Sequence, residues 1–204
     1  MSGSRIFWIS GWSIPATWLE NLASAAMPDF RHDVIDPSPD AVALACRSEA
    51  GILGGFSLGA HLLLGVDDPR PRILLAPFAD LKAGAGLGGA VATTQLRQQL
   101  RWFKRDPAAA IADFRARIGA DPPYAAEPCD PALLAWGLEQ MLAPGRVPST
   151  WPAGTLAVAG DGDPLLAVEI LARTLPSLHI VAAAGHHPEP LLAAAAKLRQ
   201  SASG

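Results

Sequence analysis

The sequence predicts an α/β fold built on a mostly parallel sheet, and three features of its 204 residues indicate this class. Half of the residues are hydrophobic (50%) and only 17% are charged, which gives a single domain enough apolar material for a large core. Short apolar runs alternate with helix-like stretches. The runs are continuously apolar, as is typical of strands buried on both faces of a parallel sheet.

The first third of the chain follows this alternation regularly. We predict strands at 6–9, 32–35, 51–55 and 72–76, and helices at 17–26, 39–47 and 58–65. Pro39 stands early in the second helix, where its missing N–H is not needed. Four strands alternating with three helices predict successive parallel strands of one sheet.

The middle of the chain departs from this rhythm. Between Ala79 and Trp151 we expect no strand, but a Gly/Ala-rich stretch followed by three helices. Apolar residues at i, i+4 and i+7 define helices at 93–105 and 108–118. The third helix has Asp130 as its N-cap, Pro131 at its first position, and runs to residue 142. Strands at 155–159 and 178–181 and helices at 165–174 and 188–199 then resume the pattern.

The alternation predicts a trimmed sheet of about six strands that carries a helical insertion. We assign residues 1–78 and 152–204 to the core and residues 79–151 to the insertion, which we call the lid. Insertions of this kind in α/β folds commonly form a lid or wall of a binding site.

Composition excludes several classes of protein. No apolar run approaches the roughly 18 residues of a membrane span, and a net charge of −3 argues against a dedicated nucleic-acid binder. Cys46 and Cys129 lie far apart without metal-ligand spacing, so we expect reduced thiols, no metal and a cytoplasmic location. The apolar stretch near the start is too short for a signal peptide. We also expect a monomer.

The most informative motif is the segment Gly55-Phe56-Ser57-Leu58-Gly59, between the third strand and a helix. Glycines on both sides permit a sharp strand-to-helix turn that presents Ser57 at the strand's end. With 12 serines and 19 glycines in the chain, chance supplies about 0.1 copies of this pattern. The motif predicts a nucleophile whose neighbour Leu58 offers a backbone N–H to an oxyanion. The alternative is a glycine-rich structural turn.

A nucleophilic serine needs a histidine as its base. Three of the five histidines fall within predicted strands or a helix and are interpreted as structural: His32, His61 and His179. His186 and His187 instead follow the last strand, where a loop can reach Ser57. We favour His186, because Gly185 gives its backbone the freedom that such a loop needs.

The histidine in turn needs an acid to orient it. Where the nucleophilic serine lies in a strand-to-helix turn of this kind, the acid stands between the serine and the histidine in the sequence. Asp161 and Asp163 both lie in the loop that follows the strand at 155–159. We favour Asp163, since Pro164 restricts its backbone to extended conformations. The alternative for either residue is a helix N-cap or a turn former.

The loop Ser10-Gly11-Trp12-Ser13 follows the first strand and is expected to provide a second oxyanion donor. Gly11 permits close approach, and the backbone N–H of Trp12 is the natural donor. Ordinary packing of Trp12 is the alternative interpretation.

These motifs, together with Gly160-x-x-Asp163 and Gly185-His186, resemble the three-layer α/β-hydrolase fold superfamily over nearly the whole chain. Gly11-Trp12 and the lid segments 95–114 and 133–138 are similar to the pimeloyl-[acyl-carrier protein] methyl ester esterases of biotin biosynthesis. Ser10 stands where that family usually has histidine, and two opening strands are missing. The resemblance implies that Trp12 donates to the oxyanion, that lid arginines hold the carrier's phosphopantetheine arm, and that no cofactor is needed.

The charge distribution of the lid points independently to an acidic partner. Residues 97–117 carry a net charge of +4, which leaves −7 on the remaining 183 residues. The basic side chains are Arg97, Arg101, Lys104, Arg105, Arg115 and Arg117. Arg97, Arg101 and Arg105 repeat at i, i+4 and i+8 and so form one stripe of positive charge. Such a stripe is suited to bind an acidic acyl-carrier protein and its phosphate-bearing arm. A solvated helix face is the alternative.

We therefore expect a serine carboxylesterase that converts the methyl ester of pimeloyl-acyl-carrier protein into pimeloyl-acyl-carrier protein and methanol. Ser57 attacks, His186 acts as base, and Asp163 orients the histidine. A broad-range carboxylesterase or thioesterase is the alternative among enzymes. A hydrolase-like protein that binds a ligand without catalysis is the alternative from another class.

Overall fold

A computed structural model of the protein describes residues 4–119, 130–148 and 150–203. The strands are β1 (Arg5–Ile9), β2 (Arg31–Ile35), β3 (Ile52–Phe56), β4 (Arg72–Leu75), β5 (Asp80–Lys82), β6 (Gly88–Val91), β7 (Leu156–Gly160) and β8 (Leu178–Val181). The helices are α1 (Ala16–Ala26), α2 (Ala41–Arg47), α3 (Leu58–Leu64), α4 (Thr93–Arg105), α5 (Pro107–Arg117), α6 (Pro131–Leu142), α7 (Val168–Thr174) and α8 (Pro188–Ser203). Cys46 is a free, exposed cysteine, whereas Cys129 lies outside the described residues.

Six strands form one sheet in the order β2-β1-β3-β4-β7-β8, and every neighbouring pair is parallel. The predicted parallel sheet of six strands is therefore confirmed. From β1 the chain moves outward to β2 and then returns past β1 to β3. Right-handed crossovers are the rule between parallel strands, so a reversal of this kind puts successive helices on opposite faces of a sheet and opens a crevice between the two strands where it occurs. The loops that follow β1 and β3 meet at this crevice.

The predicted helices are also found, with shifts at their ends. Helix α2 begins at Ala41, so Pro39 precedes the helix instead of lying inside it, and α8 continues to Ser203. Helix α7 begins at Val168, three residues later than expected. Leu165 accepts a backbone hydrogen bond from Ala90, and Leu166 forms an isolated bridge with Gly89, so this segment pairs with β6 before the helix begins.

The expectation of no strand between Ala79 and Trp151 is wrong, because β5 and β6 form a small parallel sheet there. Strand β5 has only three residues, and β6 is Gly-Gly-Ala-Val, so neither carries an alternation of apolar and polar side chains long enough to predict a strand. The small residues are needed for close approach. A Cβ on Gly89 would collide with the backbone of Leu81, and Gly88 has a φ of +95°.

Along the chain, helices α4, α5 and α6 follow the small sheet and precede β7. They belong to the segment assigned to the lid. Gln99 of α4 is buried; its amide donates to the carbonyl of Ala110 in α5 and accepts from Arg117. The lid boundaries at 79 and 151 stay a prediction, and residues 120–129 within them lie outside the described part of the chain. Among the described residues, no helix combines the length and apolar character needed to cross a membrane.

Candidate active site

Ser57 occupies the sharp turn between β3 and α3. Its backbone has a φ of 52° and a ψ of −111°, a conformation that an L-residue adopts only when its surroundings hold it there. The amide of Ser57 donates to the carbonyl of Leu75 at 2.8 Å, and the amide of Gly59 donates to the carbonyl of Ser10 at 3.1 Å. A Cβ on Gly55 would lie 2.6 Å from the amide nitrogen of Ala60, so the turn needs glycine there.

Gly59 allows a prediction about folding. A Cβ at this position would collide with the carbonyl oxygen of Ile9, which is backbone and cannot turn away. We expect Gly59→Ala to lower the free energy of unfolding by about 3 kcal/mol, measured by urea denaturation.

Gly51→Ala is the matched control, because a Cβ there has nothing within 4 Å. It should leave stability within about 1 kcal/mol of the parent. Equal effects of the two substitutions would contradict the close approach of α3 to β1.

His186 lies within hydrogen-bonding distance of both Ser57 and Asp163. The Oγ of Ser57 is 2.8 Å from Nε2 of His186, and Nδ1 is 2.6 Å from Oδ2 of Asp163. An ionised carboxylate can only accept, so Nδ1 carries the proton and the Nε2 of a neutral ring accepts the serine hydroxyl. All three side chains are buried, and the ring of Phe56 packs 5.4 Å from that of His186.

The second carboxylate oxygen of Asp163 is also engaged. It accepts a hydrogen bond from the amide of Leu165 at 2.8 Å, so both oxygens have defined partners. Asp161 is exposed on the same loop. The structure thus places Asp163, and not Asp161, beside His186.

His187 points to a different environment from that of His186. Its ring packs edge-on against Trp18 with centroids 5.3 Å apart, and its Nδ1 accepts from the amide of Glu189 at 3.3 Å. Burial lowers the pKa of His187. His186 is the histidine that lies beside Ser57.

The loop that carries His186 does not require glycine at position 185, because a Cβ there would lie 3.9 Å from its nearest neighbour, the carbonyl oxygen of Gly162. Gly185 does not have a positive φ; Ala183, at 57°, is the residue of this loop that does. The glycine that this loop requires is Gly160, because a Cβ there would collide with the carbonyl of Ala184.

Two other histidines have internal partners that account for their burial. His32 accepts from the indole of Trp8 and donates to the carbonyl of Met27, both at 3.0 Å. His61 donates to the carbonyl of Phe78 at 2.8 Å and stacks on its ring. Burial lowers the pKa of His61 to about 4, so this ring is neutral at physiological pH. Neither ring contacts Ser57, in agreement with a structural role.

The loop after β1 forms a tight turn beside Ser57. The amide of Ile14 donates to the carbonyl of Gly11 at 3.2 Å, and a Cβ on Gly11 would lie 2.8 Å from the ring of Phe56. Trp12 and Leu58, the two predicted oxyanion donors, line one cavity that spans about 330 Å³, part of it open to solvent. Its lining is Gly11, Trp12, Ser13, Ile14, Asp36, Pro37, Leu58, Asp130, Leu133 and Leu134.

The side chain of Trp12 also packs beneath the lid. The indole is buried, and its Nε1 donates to the carbonyl of Leu134 in α6 at 2.7 Å. Packing of the side chain and donation by the backbone involve different atoms, so one residue can do both.

The six basic lid residues divide into two groups. Arg97, Arg101, Lys104 and Arg105 are exposed along α4, and Lys104 lies 3.8 Å from Glu139. Arg117 is partly buried and forms an ion pair with Asp113 at 2.8 Å.

The prediction that Arg115 contacts the carrier protein together with the exposed lid cations is wrong. Its side chain is buried and donates from Nε to the carbonyl of Ser13 at 2.9 Å. A sequence signal for this burial existed. Arg115 completes the i, i+3, i+4, i+7 pattern with Ile111, Phe114 and Ile118, and so lies on the apolar face of α5.

No protein-family model and no curated protein sequence matches this chain. Solved structures do match its fold. An esterase, EaEST from Exiguobacterium antarcticum, superimposes with a TM-score of 0.76 at 12% identity, covering 100% of this chain and 93% of that one. The N-formylmaleamic acid deformylase Nfo of Pseudomonas putida gives 0.60 at 16% identity, covering 97% and 91%. The bottromycin epimerase BotH gives 0.65 at 17% identity, covering 98% and 88%.

The chain therefore has the α/β-hydrolase fold. Its structural neighbours also include RedJ, a thioesterase of prodiginine biosynthesis in Streptomyces coelicolor. An epimerase among esterases, thioesterases and a deformylase shows that this fold supports more than one reaction. The reaction of this chain must accordingly be argued from its own site.

Proposed function

We propose that this protein is a serine hydrolase that cleaves carboxylic esters. The observation that carries the proposal is the continuous hydrogen-bonded series from Ser57 through His186 to Asp163, with distances of 2.8 and 2.6 Å. The series begins at a serine held in a strained turn. A structural turn of glycines needs neither a buried histidine beside its serine nor a buried carboxylate behind that histidine.

The geometry supports acyl transfer in two stages. His186 Nε2 takes the proton of Ser57 as Oγ attacks the ester carbonyl, and then gives that proton to the departing alcohol. Asp163 holds the ring in the required tautomer and stabilises its charged form. The backbone amides of Trp12 and Leu58 stabilise the tetrahedral anion, and water then repeats the sequence to release the acid.

Hydrolysis of p-nitrophenyl acetate and butyrate by the purified protein tests this proposal. We expect steady release of nitrophenol and covalent labelling by a fluorophosphonate probe. Absence of both would refute the proposal and favour the non-catalytic alternative, a ligand-binding protein with the α/β-hydrolase fold.

For the physiological substrate, we propose the methyl ester of pimeloyl-acyl-carrier protein, with methanol and pimeloyl-acyl-carrier protein as products. The basic stripe of α4, formed by Arg97, Arg101, Lys104 and Arg105, supports a partner of acidic surface. Helix α4 contains no acidic residue, and its four cations are exposed. The Gly11-Trp12 loop and the lid segments add the likeness to the biotin-pathway esterases. Conversion can be followed by the gel mobility of the carrier protein, and no conversion would refute this substrate.

Charge reversal separates the stripe from the chemistry. We expect Arg97→Glu with Arg101→Glu to lower kcat/KM for the carrier-bound ester by about 10-fold or more, because an acidic partner would be repelled. Hydrolysis of p-nitrophenyl butyrate should stay within about twofold of the parent, since that ester needs no docking.

The matched control is Arg47→Glu with Arg173→Glu, which changes the net charge equally at exposed positions outside the lid. It should affect neither substrate. Parental turnover of the carrier-bound ester by the lid variant would instead favour a broad-range esterase or thioesterase, with α4 as an ordinary solvated face.

A further inference from the structure

The turn Gly11–Ile14 is conformationally strained at its third residue. Ser13 has a φ of 59°, in the left-handed region where type II turns favour glycine. A serine persists there only when neighbouring groups fix it. The hydroxyl of Ser10 contributes by donating to the carbonyl of Ile14 at 2.8 Å. The carbonyl of Ser13 is held from outside the turn.

Arg115 of α5 provides that external hold. Its Nε donates to the Ser13 carbonyl at 2.9 Å, and its Nη2 donates to the same oxygen. Two donors of one planar guanidinium define the direction of the carbonyl. The Ser13 carbonyl and the Ile14 amide belong to one peptide plane, so the same contact orients the amide that closes the turn on Gly11.

The lid also fixes the side chain of Trp12, which lies inside this turn. Its indole donates to Leu134 of α6, and its ring packs edge-on against Phe114 of α5, with centroids 4.7 Å apart. Phe103 of α4 lies 6.0 Å away. A Cβ on Gly137 of α6 would come within 2.7 Å of the indole, so the helix approaches as closely as glycine permits. All three lid helices therefore contact the residue proposed to donate its amide to the oxyanion.

We propose that Arg115 is a positioning residue for the chemical step, through which the lid holds the Trp12 amide in the direction that the transition state requires. This inference rests on the proposed serine hydrolase function. An amide that meets the oxyanion stabilises the transition state more than the bound ester. Loss of Arg115 should therefore lower kcat and leave KM nearly unchanged, which distinguishes it from the exposed cations of α4.

The test compares Arg115→Gln and Arg115→Lys with the parent, using p-nitrophenyl butyrate as substrate. We expect kcat to fall by about 10- to 100-fold in Arg115→Gln, with a smaller loss in Arg115→Lys, which keeps the charge. The rate of fluorophosphonate labelling should fall in parallel. Asp113→Asn is the matched control, because it breaks an ion pair on the same helix without touching the turn. It should retain parental kcat.

Hydrogen exchange of the peptide that contains residues 10–14 gives a second readout, which needs no activity. Exchange should rise in Arg115→Gln and stay parental in Asp113→Asn. Parental kcat and exchange in the folded variants, or a raised KM with unchanged kcat, would overturn the inference. If Arg115→Gln does not fold, Arg115→Lys decides by the same measurements. An inactive parent would refute the proposed function, and the exchange data would then decide whether Arg115 holds the turn.

Discussion

Ser57→Ala is expected to lower kcat for p-nitrophenyl butyrate by about four to six orders of magnitude, because it removes the attacking oxygen. Alanine keeps the Cβ of serine, so the strained backbone at φ 52° is neither relieved nor made worse. Thermal unfolding should therefore stay close to that of the parent, and the loss of activity can be attributed to chemistry.

Ser177→Ala supplies the control for this substitution. Ser177 has nearly the same φ, 54°, but it is exposed and lies between α7 and β8. The same atoms are deleted from a similar backbone conformation, and activity should be unchanged. A Ser57→Ala variant that kept parental kcat would refute the mechanism.

Asp163→Asn is expected to lower kcat by about 10⁴-fold. The carboxylate accepts from Nδ1 of His186 at 2.6 Å and so keeps Nε2 free to receive the serine proton. An asparagine amide can donate to Nδ1 and thereby stabilise the opposite tautomer, with the proton on Nε2. KM should change little, because substrate binding does not depend on the tautomer.

The neighbouring Asp161 makes a sharp control. It lies in the same loop two residues away and is exposed, so Asp161→Asn should leave kcat within about twofold of the parent. A greater loss in Asp161→Asn than in Asp163→Asn would mean that the acid has been assigned to the wrong residue.

The arrangement of the site could be predicted because a parallel sheet gathers its loops. Ser57, Asp163 and His186 each follow a different strand, and the carboxyl ends of those strands share one edge. Each residue also sits in a recognisable local pattern: paired glycines, a following proline, or a loop beyond the final strand. The order serine, acid, histidine along the chain then leaves few possible combinations of catalytic residues.

Other features could not be predicted, because they depend on distant packing. Strand β5 has only three residues, and β6 consists largely of small residues whose pairing depends on close approach, which periodicity does not detect. The contact between Arg115 and Ser13 joins residues 102 positions apart. By charge alone, Arg115 resembles the other five cations of residues 97–117, although the apolar face of α5 indicates its burial.

The site of covalent modification tests the central claim most directly. The parent would be treated with a fluorophosphonate, digested, and analysed by mass spectrometry to locate the adduct. We predict one phosphonyl group on Ser57, and none in Ser57→Ala. An unmodified parent, or an adduct on any other residue, would contradict the assignment of Ser57 as the nucleophile of a serine hydrolase.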